Sequence, residues 1–270
     1  MNSPCKPSAK LGPTHPRLRS TWVLGRHDAG LLGGAYLLFT VAWSALGWLL
    51  TRRLSDTWLL HLDRSIATWF VDQRTPTLNS LSFIGSMMAD TVVKIVVTAI
   101  IAIAMLVRWR RWLEALMVVV PLILEAMSFI TITTIVDRPR PDVPRLDSSP
   151  VGSSFPSGHV AAAVAYSAIA VVIFWRTRAR WLRFLAVVVA AFLPIFVALA
   201  RMYRGMHYFT DVVMGALLGG ASVLVTSLVL RHATDAGRRR HERDDIMNPD
   251  DIMNPDDTMN PDDTMNLRTP

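Results

Sequence analysis

Cysteine is nearly absent: Cys5, in a polar N-terminal stretch, is the only one in 270 residues. No intramolecular disulfide can form, and a cysteine-based metal site is excluded. Charge is scarce as well, at 18% of residues against 51% hydrophobic. Also missing is the periodic polar face that a soluble globule turns to water. Several apolar runs instead approach the roughly 20 residues that a helix needs to cross a bilayer. The chain therefore reads as an all-α polytopic membrane protein, a six-transmembrane-helix bundle. Its formal net charge of +7 does not point to nucleic acid, because the basic residues gather in short turns between spans, as the positive-inside bias produces. No cleaved leader is recognisable. Residues 1–29 carry Pro4, Pro7, Pro13 and Pro16 with scattered Lys and Arg, and no small-residue cleavage site follows the first apolar run. They are expected to form a disordered cytoplasmic tail ahead of an uncleaved anchor.

The spans are expected at Gly30–Leu50, about Asp90–Val107, Leu113–Val136, about Ser157–Trp175, about Leu182–Tyr203 and about Phe209–Leu230. Between the first two, Trp58, Leu59, Leu60, Ile66, Trp69 and Phe70 recur at helical spacing, which predicts an interfacial helix. Leu78–Met88 reads as a short approach segment. Basic turns follow the second span (Arg108, Arg110, Arg111) and the fourth (Arg176, Arg178, Arg180, Arg183), and Arg231, Arg238, Arg239, Arg240 and Arg243 follow the sixth. An even number of spans puts these turns and both tails on one side, which should be the cytoplasm. Residues 30–231 are then one membrane domain. Residues 232–270 are expected as a basic and then acidic disordered tail, its end a six-residue repeat of Asp-Asp-Ile/Thr-Met-Asn-Pro from Asp244. That period is too short for a stacked solenoid, and the repeat lacks the central Gly and closing Glu of a calcium loop.

The loop 137–155, rich in proline and without periodicity, and the junction of the last two spans face the other way. The reactive side chains gather there. Ser153-Ser154-Phe155-Pro156-Ser157-Gly158-His159 opens the fourth span. Pro156 suits a first helical turn, and the N–H groups of Ser157 and Gly158 at a helix N-terminus make a natural anion site. His159 can give or take a proton near neutral pH. Upstream stands Arg138-Pro139-Arg140-Pro141; downstream stand Arg201, His207 and Asp211. Arginine forks match phosphate oxygens, with Arg140 and Arg201 the main candidates and Arg138 and Arg204 in reserve. If the last helix includes His207, Asp211 lies on the same face four residues on and could hold one ring nitrogen while the other attacks. Cations, an in-line nucleophile and an acid for the leaving oxygen are what cleavage of a phosphate ester or diphosphate needs.

Pro156-Ser157-Gly158-His159, followed by Ala200-Arg201 with His207 and Asp211, resembles the type 2 phosphatidic acid phosphatase superfamily, membrane relatives of the vanadium haloperoxidases. The resemblance spans roughly residues 30–230. It implies a metal-independent, cofactor-free phosphatase acting on a membrane lipid phosphate, with His207 as the nucleophile, Asp211 orienting it and His159 protonating the leaving group. It also implies phosphate binding by Arg140, Arg201, Ser157 and Gly158. Two positions depart from the family pattern. Ala200 stands where the family has Ser. The family's Lys, seven positions before an Arg-Pro, is replaced by Thr133 or Thr131, depending on which Arg is counted. Lys94, one turn inside the second span, could restore that charge, although an ion pair with Asp90 or Glu125 is the expectation. Polyprenyl diphosphate or phosphate, phosphatidic acid and phosphatidylglycerol phosphate all remain candidate substrates. Phosphoryl transfer to an alcohol, or binding without turnover, are the alternatives to hydrolysis.

Overall fold

Backbone amides in a bilayer have no water to bond, so long apolar runs close their hydrogen bonds internally as helices. The computed structural model describes residues 24–54, 57–109, 112–149 and 151–246. These contain nine helices and no strand: α1 (Arg26–Arg52), α2 (Trp58–Asp72), α3 (Pro76–Met87), α4 (Thr91–Trp109), α5 (Trp112–Ile135), α6 (Gly158–Ala165), α7 (Ala168–Arg176), α8 (Arg180–Tyr203) and α9 (Phe209–Ile246). Six segments are long and apolar enough to cross a membrane: α1, α4, α5, the α6–α7 pair, α8 and α9. The all-α, six-span architecture expected from the sequence is the one found, and the chain is a multi-pass membrane protein.

The spans divide into an inner and an outer set. Half of the most apolar window of α5 is buried within the protein, and 44% of those of α6–α7 and α9, against 11% for α1, α4 and α8. The inner three form the core, where Met117, Val118 and Leu122 meet Ala162, Ala165 and Val172. The outer three expose Leu37, Val41, Val92, Ile100, Phe184 and Phe192, as lipid-facing helices do. At the end where α1 begins, the His27 and His232 rings lie 5.5 Å apart and His232 is 3.3 Å from Asp28. The start of α1 and the far part of α9 thus share one end of the bundle.

The tightest contact joins α6 to α9. A Cβ on Gly215 would sit 2.4 Å from the Ser157 carbonyl oxygen, and one on Gly219 2.3 Å from that of Ala161. Only glycine permits this main-chain approach, the means by which small residues bring membrane helices together. Gly215→Ala is therefore expected to push α6 off α9 and destabilise the fold by about 1–3 kcal/mol. Gly220→Ala, whose Cβ would meet nothing closer than 3.9 Å, should be silent. Thermal unfolding in detergent compares the two.

Three boundaries differ from expectation. Helix α1 begins at Arg26 rather than Gly30, with Asp28 accepting from the Gly25 N–H at 2.8 Å. The fourth span is two helices, broken at Tyr166–Ser167. Helix α9 continues to Ile246, through residues 232–246 that the sequence suggested as tail; Asp235 stands four residues before Arg239, a favourable helical spacing. The expected N-terminal tail up to residue 23, and all of the hexapeptide repeat beyond residue 246, lie outside the described residues. The expected interfacial helix is α2, with Trp58 and Trp69 exposed and Leu60, Asp63 and Ala67 turned inward.

Candidate active site

Loop 136–157 leaves α5, crosses the end of the bundle and enters α6. It is pinned by main-chain bonds from Ser154 N to Arg138 O (2.9 Å), Leu146 N to Arg204 O (3.1 Å) and Ser157 N to Asp211 O (3.0 Å). The α8–α9 corner beneath it turns at Gly205, whose φ of +70° is a left-handed conformation that glycine adopts readily. The loop and this corner bring the separated sequence motifs together.

His207 lies in that corner and is buried. Its Nδ1 is 2.7 Å from the Ser154 carbonyl oxygen. A carbonyl only accepts, so Nδ1 carries the proton and Nε2 presents a lone pair. Burial holds the ring well below the ordinary histidine pKa of 6.5, and the charges of Arg201 and Arg140 push it further down. The ring is thus a neutral imidazole with one nitrogen fixed, the form a nucleophile requires.

The arginines around it have donors to spare. Arg140 gives Nη1 to the Met206 carbonyl (2.6 Å), and Nη2 to the Ser149 hydroxyl (2.9 Å) and the carbonyls of Val151 (3.0 Å) and Ser153 (3.1 Å). Arg201 gives Nη1 to the Ser86 hydroxyl (2.6 Å) and Asp147 (2.8 Å). The Nε–H groups of both, and the Ser157 hydroxyl, are buried without a partner. Buried donors left unpaired cost about 1–3 kcal/mol each, and a tetrahedral oxyanion would satisfy them. His159, second residue of α6, is half-buried and within electrostatic reach of Arg201, Asp90, Lys94 and Asp147. Gly158 presses against Phe129, where a Cβ would come within 2.9 Å of the ring. Phe129 lies six residues before the end of α5, so the site is recessed about 9 Å below that end, at 1.5 Å per residue.

Residues 114–235 match the model of the PAP2 superfamily. That is the superfamily the sequence motifs resemble. The fold resembles the first transmembrane PAP2-type phosphatidylglycerolphosphate phosphatase from Bacillus subtilis, with a TM-score of 0.62 and 21% identity over 74% of this chain and 94% of that one. It is also similar to LpxE from Aquifex aeolicus, with a TM-score of 0.49 and 22% identity over 64% and 97% of the two chains. No curated protein matches the chain.

Three roles read from the sequence differ in the structure. Asp211 does not hold the His207 ring. Helix α9 starts only at Phe209, so the helical four-residue spacing does not apply to His207. Asp211 instead accepts from the Tyr208 N–H at 2.9 Å and forms an ion pair with Arg138. Arg138 is no spare phosphate ligand. Its second arm reaches Asp63 at 2.9 Å, it donates to the Thr210 hydroxyl at 2.8 Å, and Tyr208 stacks under it at 4.8 Å. Arg204 gives Nη1 and Nη2 to Asn79, Ser82, Leu146 and Asp147, while its Nε–H, like those of Arg140 and Arg201, is buried without a partner. The Ser157 N–H, expected to meet an anion, already serves the Asp211 carbonyl; only its hydroxyl is open.

The position of the family's Lys stays uncharged. Thr133 turns its hydroxyl back to the carbonyls of Phe129 (3.0 Å) and Ile130 (2.9 Å), and Thr131 meets Tyr36 at 2.8 Å. Lys94 forms the expected ion pair, 3.0 Å from Glu125, while Asp90 caps the Val92 N–H. Sequence reasoning missed Asp63, Asp147, Ser86 and the Ser154 carbonyl. For Asp63 a signal existed: it interrupts the inward stripe Leu60, Asp63, Ala67, and a carboxylate on the buried face of a helix needs a cation.

Because His207 folds neutral, the unfolded chain binds more protons than the native one below pH 6.5. Stability is full above that value and falls as pH drops through the window between 6.5 and the lower native pKa. Phosphate release should hold as pH passes down through 6.5 and fail only further into acid, a profile read from kcat/KM against pH.

Proposed function

We propose that the chain is a lipid phosphatase working through a phosphohistidine at the extracytoplasmic face. The observation that carries this reading is the set of unpaired buried donors, Arg140 Nε, Arg201 Nε and Ser157 Oγ, gathered about a neutral imidazole with a free Nε2. They offer a preorganised seat for phosphoryl oxygens. In the first step Nε2 of His207 attacks phosphorus and the bond to the leaving oxygen breaks in line, the oxygen taking a proton from His159. In the second, His159 takes a proton from water, whose oxygen attacks phosphorus; the N–P bond breaks, and phosphate and free His207 result. Arg138, Asp63 and Asp211 shape the corner that carries His207.

Charge supports the side. The basic turns lie at the end of the bundle where α1 starts, and the site lies at the opposite end, which the positive-inside bias favours as the extracytoplasmic one. Residues 30–231 form the catalytic unit. A lipid substrate has room for its chain. An apolar cleft of about 490 Å³ is lined by Val93 and Val97 of α4, Ala163 and Ile169 of the α6–α7 pair, and Ala186 and Leu193 of α8. Ala163 is one helical turn from His159, so a lipid with its headgroup at the site would have its chain close to the cleft.

Phosphate release by the purified protein in detergent tests this. The substrates are a polyprenyl diphosphate, a polyprenyl monophosphate, phosphatidic acid and phosphatidylglycerol phosphate, with chelator present and with or without vanadate. Release that survives chelator and is blocked by vanadate supports the phosphohistidine enzyme, and the preferred lipid names the substrate. The uncharged Thr133 favours a second reading, a lipid-phosphate binding protein without turnover. It predicts vanadate binding with no release from any of the four. Phosphoryl transfer would show as a phosphorylated alcohol when one is added.

A further inference from the structure

Arginines from the α2–α3 turn and from the end of α8 strap loop 136–157 to the bundle, and Arg140 braces it from within. Arg74 bonds the Pro144 carbonyl (2.8 Å), Arg204 that of Leu146 (3.0 Å), and Arg140 the segment from Ser149 to Ser153. The loop answers these arginines with a carboxylate: Asp147 divides its oxygens, Oδ1 to Arg204 at 2.6 Å and Oδ2 to Arg201 at 2.8 Å. Oδ2 also accepts from Ser86 of α3 at 3.0 Å. Burial alone would raise the Asp147 pKa, but the Arg204 hydrogen bond and the charges of both arginines hold it below the ordinary carboxylate value, so it stays ionised.

The division of Arg201 decides what Asp147 does. A loop carboxylate competing with substrate would take the edge of the guanidinium that a phosphate needs. Here Asp147 and Ser86 take Nη1, and Nε is left buried without a partner. A guanidinium is a rigid plane; anchoring Nη1 to two groups on different elements fixes where Nε–H points. The same charge also offsets one of two neighbouring arginines, so Arg201 can stand close to Arg204.

We propose that Asp147 is a positioning residue, outside the family's three motifs, that holds Arg201 by one nitrogen and so presents the other donors to the phosphoryl group at His207. This rests on the phosphatase reading above and adds to it the group that preorganises its arginine. With Thr133 uncharged, Arg201 carries more of the charge stabilisation, and its placement matters correspondingly more.

The test uses the full chain in detergent, with dioctanoyl phosphatidic acid as substrate and vanadate as a phosphate-site probe. Asp147→Asn is expected to lower kcat and weaken vanadate inhibition by about 10–100-fold, the scale of a misplaced catalytic group. KM for the lipid should change much less, because the chain binds elsewhere. Asp147→Glu should recover part of the loss. Asp147→Asn in an Arg201→Ala background should cost nothing further, since there is no longer an arginine to place. Undiminished kcat and vanadate affinity in Asp147→Asn would overturn the proposal, as would additive losses in the double variant. Tighter vanadate binding in Asp147→Asn would overturn it too, by making Asp147 a plug. If Asp147→Asn does not fold, Ser86→Ala, which loosens the same anchor without removing charge, decides on the same readouts. A wild-type protein that binds vanadate without turnover still allows the affinity comparison. One that neither binds vanadate nor releases phosphate defeats the phosphatase reading itself, and this proposal with it.

Discussion

Replacing His207 with alanine is expected to lower phosphate release by about four orders of magnitude or more, the usual scale for deleting a covalent nucleophile. No other described side chain offers the same combination: a buried ring, a tautomer fixed by a main-chain carbonyl at 2.7 Å, and arginine donors with spare N–H groups around it. The ring contributes one hydrogen bond to the fold, so the variant should unfold within a few degrees of wild type. The comparison is phosphate release against thermal unfolding in one detergent preparation. Trapping labelled phosphate on wild-type protein as an acid-labile adduct, absent from the variant, would identify the intermediate directly. A variant that keeps a tenth or more of wild-type turnover would remove His207 from the chemistry.

The second large effect falls on stability. Arg138 bridges two buried carboxylates, Asp63 on α2 and Asp211 on α9, while Asp63 also accepts from the Thr210 N–H at 3.0 Å and its hydroxyl at 2.5 Å. Arg138→Met would leave two carboxylates buried without their cation. Removing one partner of such a network costs about 3–5 kcal/mol. The variant is expected to unfold far below wild type, and to lose activity with the corner that carries His207. Adding Asp63→Asn, which removes one of the stranded charges, should recover part of the loss. Unfolding in denaturant, with all variants in the same detergent, measures this. Equal stability of Arg138→Met and wild type would show that water reaches this network.

The spans were legible because a bilayer leaves long apolar runs only one conformation, and the positions of α4, α5, α8 and the start of α9 follow from run length and flanking arginines. The start of α6 was legible, although Pro156 lies ahead of its N-cap Ser157 rather than in the first turn, and nothing in Val160–Trp175 showed that the span breaks at Tyr166. At that break the Tyr166 hydroxyl reaches across to α4, 3.4 Å from the Lys94 carbonyl. The site residues were legible as types, and less so as partners. Arg138 and Arg140 look alike in sequence; the structure separates them because one faces carboxylates and the other faces carbonyls. The orientation of His207 by Ser154 was invisible, since a main-chain carbonyl carries no residue identity. Asp147 was hidden for another reason. A loop acid among prolines and serines is most often solvated, and its two arginine partners lie more than fifty positions away.

The glycine contact between α6 and α9 has a consequence for how this protein can vary. His159 belongs to α6 and His207 precedes α9, and the two helices touch through main-chain atoms at Ser157 and Gly215. The separation of the two imidazoles is therefore gauged by backbone, like the jaws of a caliper locked at one setting. Helices α4 and α8, which border the apolar cleft, lie outside that lock. Their lipid-facing residues can be exchanged wholesale, and a new hydrocarbon accommodated, with the reacting distance unaltered.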